Sequence, residues 1–461
     1  MDRREFLKTV TQTAAVAAAS SFLPSPAGAV QDRLSLVAVG DCILTRRISH
    51  RKDPGFLELL EIVRSADCAW GNCETVLADP RRVWPMPKGG DPHAIAEPWA
   101  ADELAWTGVR FVGTANNHIM DFGHSGLLAT LENLERVGLV QAGSGENLAE
   151  AARPAYYDSA AGRIGQVNCC STFANYFPAG PDHPHLPGRP GLNPVSLQQA
   201  VQIPAKTFEL LKKINAEVME LRGYNEFGDL IKELEAQLPK GTWIFDETTI
   251  ASGDEVDVKS EASPADLERI TAAIKVARNN SRLVLATIHA HEARKKLEIN
   301  DPFLQPFARA CIDAGADAFL AAGPHVVRGI EIYKGKPIFY CLGNFIFHYE
   351  TIYPIPAEAL GRFGLDPRSL DPSEFYKKIN YPTERRFWEA IVPRITFEKD
   401  RVASIEVFPI TMGFGEPLHE RGLPLLAHGE AATSILQGLA KLSKPFGTEI
   451  EIADGVGRVR L

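Results

Sequence analysis

What this chain has little of narrows its class before any motif is read. It has no long basic run, and Lys plus Arg, at 49, fall below Asp plus Glu, at 58, for a net charge of −9. A nucleic-acid partner calls for a basic face, so none is expected. It also lacks an apolar run of bilayer length. The small, apolar stretch Thr9 to Phe22 is too short and too alanine-rich to span, which argues against a stable membrane span in the mature chain. Cysteine is scarce and odd in number, seven in all. Most lie within or beside apolar strand-like runs, so buried thiols are expected rather than a disulfide framework. Cys42 and Cys73 flank candidate site residues and are the pair placed to join after export.

What remains is ordinary for a globular protein: 461 residues, 45% hydrophobic and 23% charged, enough for one large or two ordinary domains. The first residues carry an address. Arg3 and Arg4 form a twin-arginine pair, an apolar stretch follows, and Ala27-Gly28-Ala29 is an A-x-A cleavage signal. Residues 1–29 read as a twin-arginine signal peptide, which makes the mature protein periplasmic or extracellular and the twin-arginine export machinery a partner.

The chain is organised around Gly113 to Gly126, GTANNHIMDFGHSG. It packs Asn116, Asn117, His118, Asp121 and His124 directly behind the apolar run Val109 to Val112. Leu127, Leu128, Leu131, Leu134 and Val137 then recur at helical spacing, with Gly138 at the expected C-cap. Strand, polar loop and helix in that order place the loop where open α/β sheets bind ligands. Four further apolar runs end the same way: at Asp41; at Asn72 with Glu74; at His289 with His291; and at His325. Between Ser171 and Ser281 the pattern changes, and Ser196 to Leu238 reads as helix. Ser263 and Pro264 start another helix, and Asp301-Pro302 a third. A β-meander turns at Gly335, Glu384 to Met412 reads as two strands joined near Asp400, and the tail closes as a hairpin at Asp454-Gly455.

Carboxylates on the first two loops, then amide and imidazoles, form the donor mix that holds one or two divalent transition metals such as Mn, Fe or Zn. The expected ligands are Asp41, Asn72, Glu74, Asn117, His289, His291 and His325. Such a centre polarises a phosphoryl or acyl oxygen, and His118, Asp121 and Glu74 are the candidate catalytic residues, as acids or bases. Taken singly, each has a plainer role: a helix N-cap for Asp41 or Glu74, a hydrogen-bonded strand-end residue for each histidine. Their shared position carries the argument. His50, His93, His183, His185, His348, His419 and His428 lack that placement and read as surface or structural residues.

The motifs VAVGDCIL, VRSADCAWGNCET, TANNHIMDFG, GPHVVRGIEIYKGKPIFYCLGNFIF and KLSKPFGTEIEI make the chain similar to capsule-synthesis proteins of the CapA type, also called poly-γ-glutamate synthesis proteins. The likeness covers most of residues 34–350 outside the changed region. It implies an α/β protein of metallophosphatase-like four-layer α/β/β/α build. Residues 30–170 and 263–461 would be its two halves, and 171–262 a mainly helical insertion. It implies metal ligands at Asp41, Glu74 or Asn72, Asn117, His289 and His325, with His118 as the acid–base histidine. Where the family often reads His-Trp-Gly-x-Glu, this chain has His289-Ala290-His291-Glu292-Ala293, which brings His291 forward as a replacement ligand. The expected function is metal-dependent hydrolysis of phosphoester, peptide or poly-γ-glutamate-type bonds in a cell-envelope polymer. Two alternatives stand beside it: metal-independent acid–base chemistry on peptides, such as epimerisation, and non-catalytic capsule assembly.

Overall fold

The computed structural model describes residues 32–87, 92–223, 241–245, 248–368 and 371–461. The signal-peptide reading of residues 1–29 therefore lies outside the described residues. The described chain is mixed α/β, with several sheets and ten α-helices.

The strands of the two large sheets are, in chain order, β1 (Arg33–Ile43), β2 (Cys68–Cys73), β3 (Phe111–Gly113), β4 (Val140–Ala142), β5 (Ala155–Ser159), β6 (Gly162–Cys170), β7 (Leu283–His289), β8 (Ala318–Ala322), β9 (Ile330–Tyr333), β10 (Lys336–Phe339), β11 (Asn344–Phe347), β12 (Glu389–Glu398), β13 (Arg401–Thr411), β14 (Leu425–Leu426), β15 (Ile450–Ala453) and β16 (Val456–Val459). One sheet runs β15-β16-β13-β12-β1-β2-β3-β4, with β11 beside β1 and β14 beside β13; the other runs β9-β10-β8-β7-β6-β5. The neighbours β1-β2-β3-β4 pair in parallel, as do β6-β7-β8-β10. Strands that run together end together. The carboxyl ends of each parallel set consequently form one rim.

Alternation along β1 shows how the sheets are packed. Leu34, Leu36 and Ala38 join Trp70 and Phe111 in one core with Leu283, Leu285, Ala318 and Leu320 of the second sheet. Val37 and Val39 face the other way, onto Phe56, Leu59 and Leu60 of helix α1 (Pro54–Arg64) and Leu104 of helix α2 (Trp99–Thr107). The 14-residue helix α3 (Gly123–Arg136) follows the polar loop. In the second sheet, Val284, Ala286 and Ile288 pack against Ile270 and Ile274 of the helix Pro264–Asn280 and Phe307 and Cys311 of the helix Leu304–Asp313. Every core residue named here is essentially without solvent, and each buried Leu, Ile or Phe contributes about 1.5–3 kcal/mol.

The stretch read as helix from Ser196 differs. Leu197–Pro204 is a strand, and the helix occupies Ala205–Leu221. The strand pairs antiparallel with Asp257–Ala262 and parallel with Thr248–Gly253, so a small four-stranded sheet accompanies the helix. Distant pairing overrides local helical periodicity there. Residues 224–238 of that reading fall outside the described residues. Ser263 does sit at the N-cap with Pro264 behind it, yet its side chain makes no capping bond. The expected turns occur: Gly335 has φ 75°, Asp400 61° and Asp454 53°. All seven cysteines are buried free thiols, Cys42 and Cys73 included, although those two are register partners across β1 and β2. No helix among the described residues is long and apolar enough to cross a membrane.

Candidate metal centre

The register of the first sheet aligns polar side chains on its rim. Asp41 of β1 pairs with Asn72 of β2 on one side and Asn344 of β11 on the other. The β1–β2 register shifts between Ala38 and Asp41, an irregularity that re-aims the strand where the site begins. Gly40 lies inside it, and a Cβ there would stand 1.8 Å from the carbonyl oxygen of Gly343. Only glycine permits that approach. The Asp41 amide then donates to the same Gly343 carbonyl at 3.1 Å.

Asp41 is fully buried and held by three groups. Asn72 Nδ2 donates to its Oδ1 at 2.7 Å, the Gly323 amide donates to its Oδ2 at 3.2 Å, and His325 Nδ1 is 3.3 Å from Oδ2. Burial pushes the carboxyl pKa up, but the His325 bond, the nearby His325 and His289 charges and the Asn72 bond outweigh it, so the group stays below its ordinary value. His325 follows β8 with φ 58°, a left-handed conformation that costs a non-glycine residue about 1–2 kcal/mol. Strain of this kind persists where surrounding structure fixes it, often at functional sites. Its Nδ1 also lies 2.8 Å from Asn344 Oδ1, which orients the ring.

Glu74, just beyond β2, is the centre of the group. Its Oε1 lies 3.6 Å from His289 Nε2, 3.7 Å from His325 Nε2 and 3.9 Å from His118 Nε2. His289, the last residue of β7, is also 3.1 Å from Asn72 through Nδ1 and 3.0 Å from His291 Nε2 through Nε2. Two overlapping sets of donors lie within 4.8 Å: Glu74, His289 and His291; and Asp41, Glu74 and His325. Ligands sharing one ion at zinc-like bond lengths sit roughly 3–3.5 Å apart, close to these spacings. Loss of solvent and the His289, His325 and His118 rings push His291 well below its ordinary pKa, so its nitrogen lone pair is free of a proton at neutral pH.

The loop after β3 supplies a buried histidine–aspartate pair. His118 Nδ1 is 2.6 Å from Asp121 Oδ2, and Asp121 Oδ2 also accepts the Ala94 amide at 2.8 Å. Asn116 braces the loop, donating to the Cys73 carbonyl at 2.8 Å and accepting the His118 amide at 3.1 Å. Asn117, half-buried, lies between them.

The structure thus brings together Asp41, Asn72, Glu74, His118, Asp121, His289, His291 and His325. His124 does not join them: it is exposed on the first turn of α3, while Leu127, Thr130 and Leu134 face inward. Two contributors escaped the sequence reading. Asn344, the one polar residue in CLGNFIF, was a legible anomaly in an apolar strand. Arg328 was not: it is fully buried and holds the Glu292 carbonyl at 2.9 Å and the Leu297 carbonyl at 2.7 Å, bracing the backbone just beyond His291.

The family described as bacterial capsule synthesis protein PGA_cap matches residues 35–349, a span that includes every residue of this centre. The uncharacterized proteins y4sH and y4uA of Sinorhizobium fredii are each 33% identical over 451 residues, 95% of this chain and 95% of theirs. The capsule biosynthesis protein CapA of Bacillus anthracis is 22% identical over 324 residues, 68% of this chain and 60% of its own.

Proposed function

Since the chain belongs to the CapA-type capsule synthesis family, we propose that it is a metal-dependent hydrolase acting on phosphoester, peptide or poly-γ-glutamate-type bonds of a cell-envelope polymer. The observation that carries this reading is the convergence of three imidazoles on one oxygen of the buried Glu74 carboxylate at 3.6–3.9 Å. Buried carboxylates and imidazoles at such spacing suit a divalent cation. Glu74, His289 and His291 would hold one ion and Asp41, Glu74 and His325 a second, with Asn72 beside both sets through Asp41 and His289 and Asn117 as a further ligand from the neighbouring loop. Mn, Fe or Zn bound there would act as a Lewis acid on a phosphoryl or acyl oxygen.

The chain's own residues do the rest. Asp121 fixes the His118 ring through Nδ1, which leaves Nε2 to carry a proton towards the centre and give it to a leaving group. Asn344 and Asn72 orient His325 and His289. The same His118–Asp121 pair, 2.6 Å apart and facing Glu74, also favours the second reading, proton transfer at a peptide α-carbon without a metal.

The architecture behind the proposal is a four-layer metallophosphatase-like unit made of residues 30–170 and 263–461, with 171–262 inserted between them. In its favour, β6 ends at Cys170 and β7 pairs with it in register, Cys170 opposite His289, so the chain leaves and re-enters the sheet at adjacent strands. Removal of residues 1–29 during twin-arginine export would place this unit in the envelope, where a capsule polymer is met.

The test is elemental analysis of the exported protein together with its Asp41→Asn and His325→Ala variants, alongside chain-shortening of poly-γ-glutamate with and without a chelator. Stoichiometric metal, lost in both variants, and chelator-sensitive cleavage are expected. Cleavage indifferent to chelation, or solvent deuterium entering an α-carbon without cleavage, would transfer the assignment to acid–base chemistry.

A further inference from the structure

A basic cavity lies on the same strand ends as the candidate metal centre. Beyond Asp41 and Asn344, β1 and β11 continue side by side, Ile43 opposite Phe347. Just past them lies a cavity of about 280 Å³ lined by Arg46, Arg47, His50, Arg51, His348 and His419, with Ile48 and Leu423 and no acidic residue. Arg46 follows Asp41 by five residues, so the cavity and the metal centre are at most about 18 Å apart along the chain.

His348 gives the cavity a directed donor. Its ring is buried, and its Nδ1 accepts the Thr45 and Arg46 backbone amides, each at 3.3 Å. A nitrogen that accepts carries no proton, so the tautomer is fixed with hydrogen on Nε2. Among the described residues Nε2 has no hydrogen-bond partner, and the ring lines the cavity. That N–H is the ring's remaining donor, available to an acceptor entering the cavity.

Charge points to the kind of acceptor. Arg51 is neutralised by Asp53 at 2.8 Å and Glu420 at 2.6 Å. Arg46 is not: its guanidinium donates to the carbonyls of Leu418, His419 and Arg421, which orient it and leave its charge intact. Arg47 is 58% exposed and reaches Glu103 at 3.3 Å, but that carboxylate already accepts the Ile48 and Ser49 amides at 2.9 and 2.7 Å. The Thr45 and Arg46 backbone amides are taken by His348. What is left is a single neutral N–H and surplus guanidinium charge.

We propose that this cavity binds one carboxylate of an acidic polymer and so holds the chain across the metal centre. The proposal rests on the acidic-polymer substrate of the preceding reading and resolves how a protein of net charge −9 engages a polyanion.

Calorimetric titration of the full chain at low ionic strength, with a γ-linked pentaglutamate and separately with inorganic phosphate, tests it. Arg47→Glu and His348→Gln should each weaken the oligomer at least about ten-fold, while phosphate competes poorly. Because His348→Gln also disturbs the loop it accepts, the wild-type ring is followed by nitrogen NMR, where the Nε2–H signal should move on oligomer addition. Unchanged affinity in Arg47→Glu with a static His348 signal overturns the subsite, and phosphate binding as tightly as the oligomer overturns the carboxylate assignment. An oligomer that is bound through these residues yet never cleaved would instead remove the hydrolase and leave the subsite standing.

Discussion

Nδ1 of His118 lies 2.6 Å from Oδ2 of Asp121, while its other nitrogen faces Glu74 at 3.9 Å. An imidazole held this way has one nitrogen committed to orientation and one to chemistry. Asp121→Asn removes the charge that fixes the ring and reverses the preferred tautomer. Turnover should fall about 10²–10⁴-fold with the circular dichroism spectrum unchanged. Retention of full turnover would remove His118 from the proton path.

Asn344 touches His325 at 2.8 Å and would act through it on an ion held at the centre. Asn344→Ala should weaken metal binding about 10–100-fold in competition with a chromophoric chelator, whereas Asn344→Asp, which keeps an acceptor oxygen there, should retain most of it. Equal losses in the two variants would point to the bond from Asn344 to the Phe387 carbonyl, at 2.9 Å, as the one that matters.

Gly40→Ala places a methyl group 1.8 Å from the Gly343 oxygen, so β1 and β11 must separate. Denaturant unfolding should show a loss of at least about 2 kcal/mol. Metal content should drop with it, because Asp41 moves with the strand. A variant with native stability and full metal content would contradict the close approach.

His348 supplies a pH dependence whose sign is fixed. Burial, then the Arg46 and Arg51 charges, hold its pKa well below the ordinary value. Between that low value and about 6.5 the unfolded chain takes a proton that the native ring refuses. Stability from this site is therefore complete above about pH 6.5 and is lost as pH falls, by up to about 1.4 kcal/mol per unit. His291, depressed in the same direction, adds to the slope. Denaturation midpoints from pH 7.5 to 5.5 should decline less steeply in His348→Gln, by about one proton, and an unchanged slope would show that the native ring titrates freely.

The parts of this site that could be read from the chain are those where a strand ends. Val37, Val39, Ile288 and Leu320 are buried between layers and leave apolar runs, so Asp41, Glu74, His289 and His325 stand out at their tips. What escaped depends on contacts far away in sequence. Leu197–Pro204 has enough apolar residues to mimic a helix face, and its pairings with Thr248–Gly253 and Asp257–Ala262, some 50 to 60 positions on, make it a strand. His348 looked like any other lone histidine. Its significance comes from the Thr45 and Arg46 amides, 303 and 302 residues away, which periodicity does not encode. His124 belongs to the same polar stretch yet is exposed on the first helical turn, because a polar loop and a helix start share residue types.

The Gly323 amide reaches Asp41 across 282 residues of chain. No fragment shorter than that span can contain the centre, so partial synthesis or a break in an early strand yields nothing partly active. Any ion gathered there also acts as a clasp between the two large sheets. In the absence of a disulfide, that clasp would couple the lifetime of the folded protein to the supply of metal around it, with stabilisation of about 2.7 kcal/mol at a hundred-fold excess over the dissociation constant. Starved of metal, such a protein would be lost to proteases before it was merely idle.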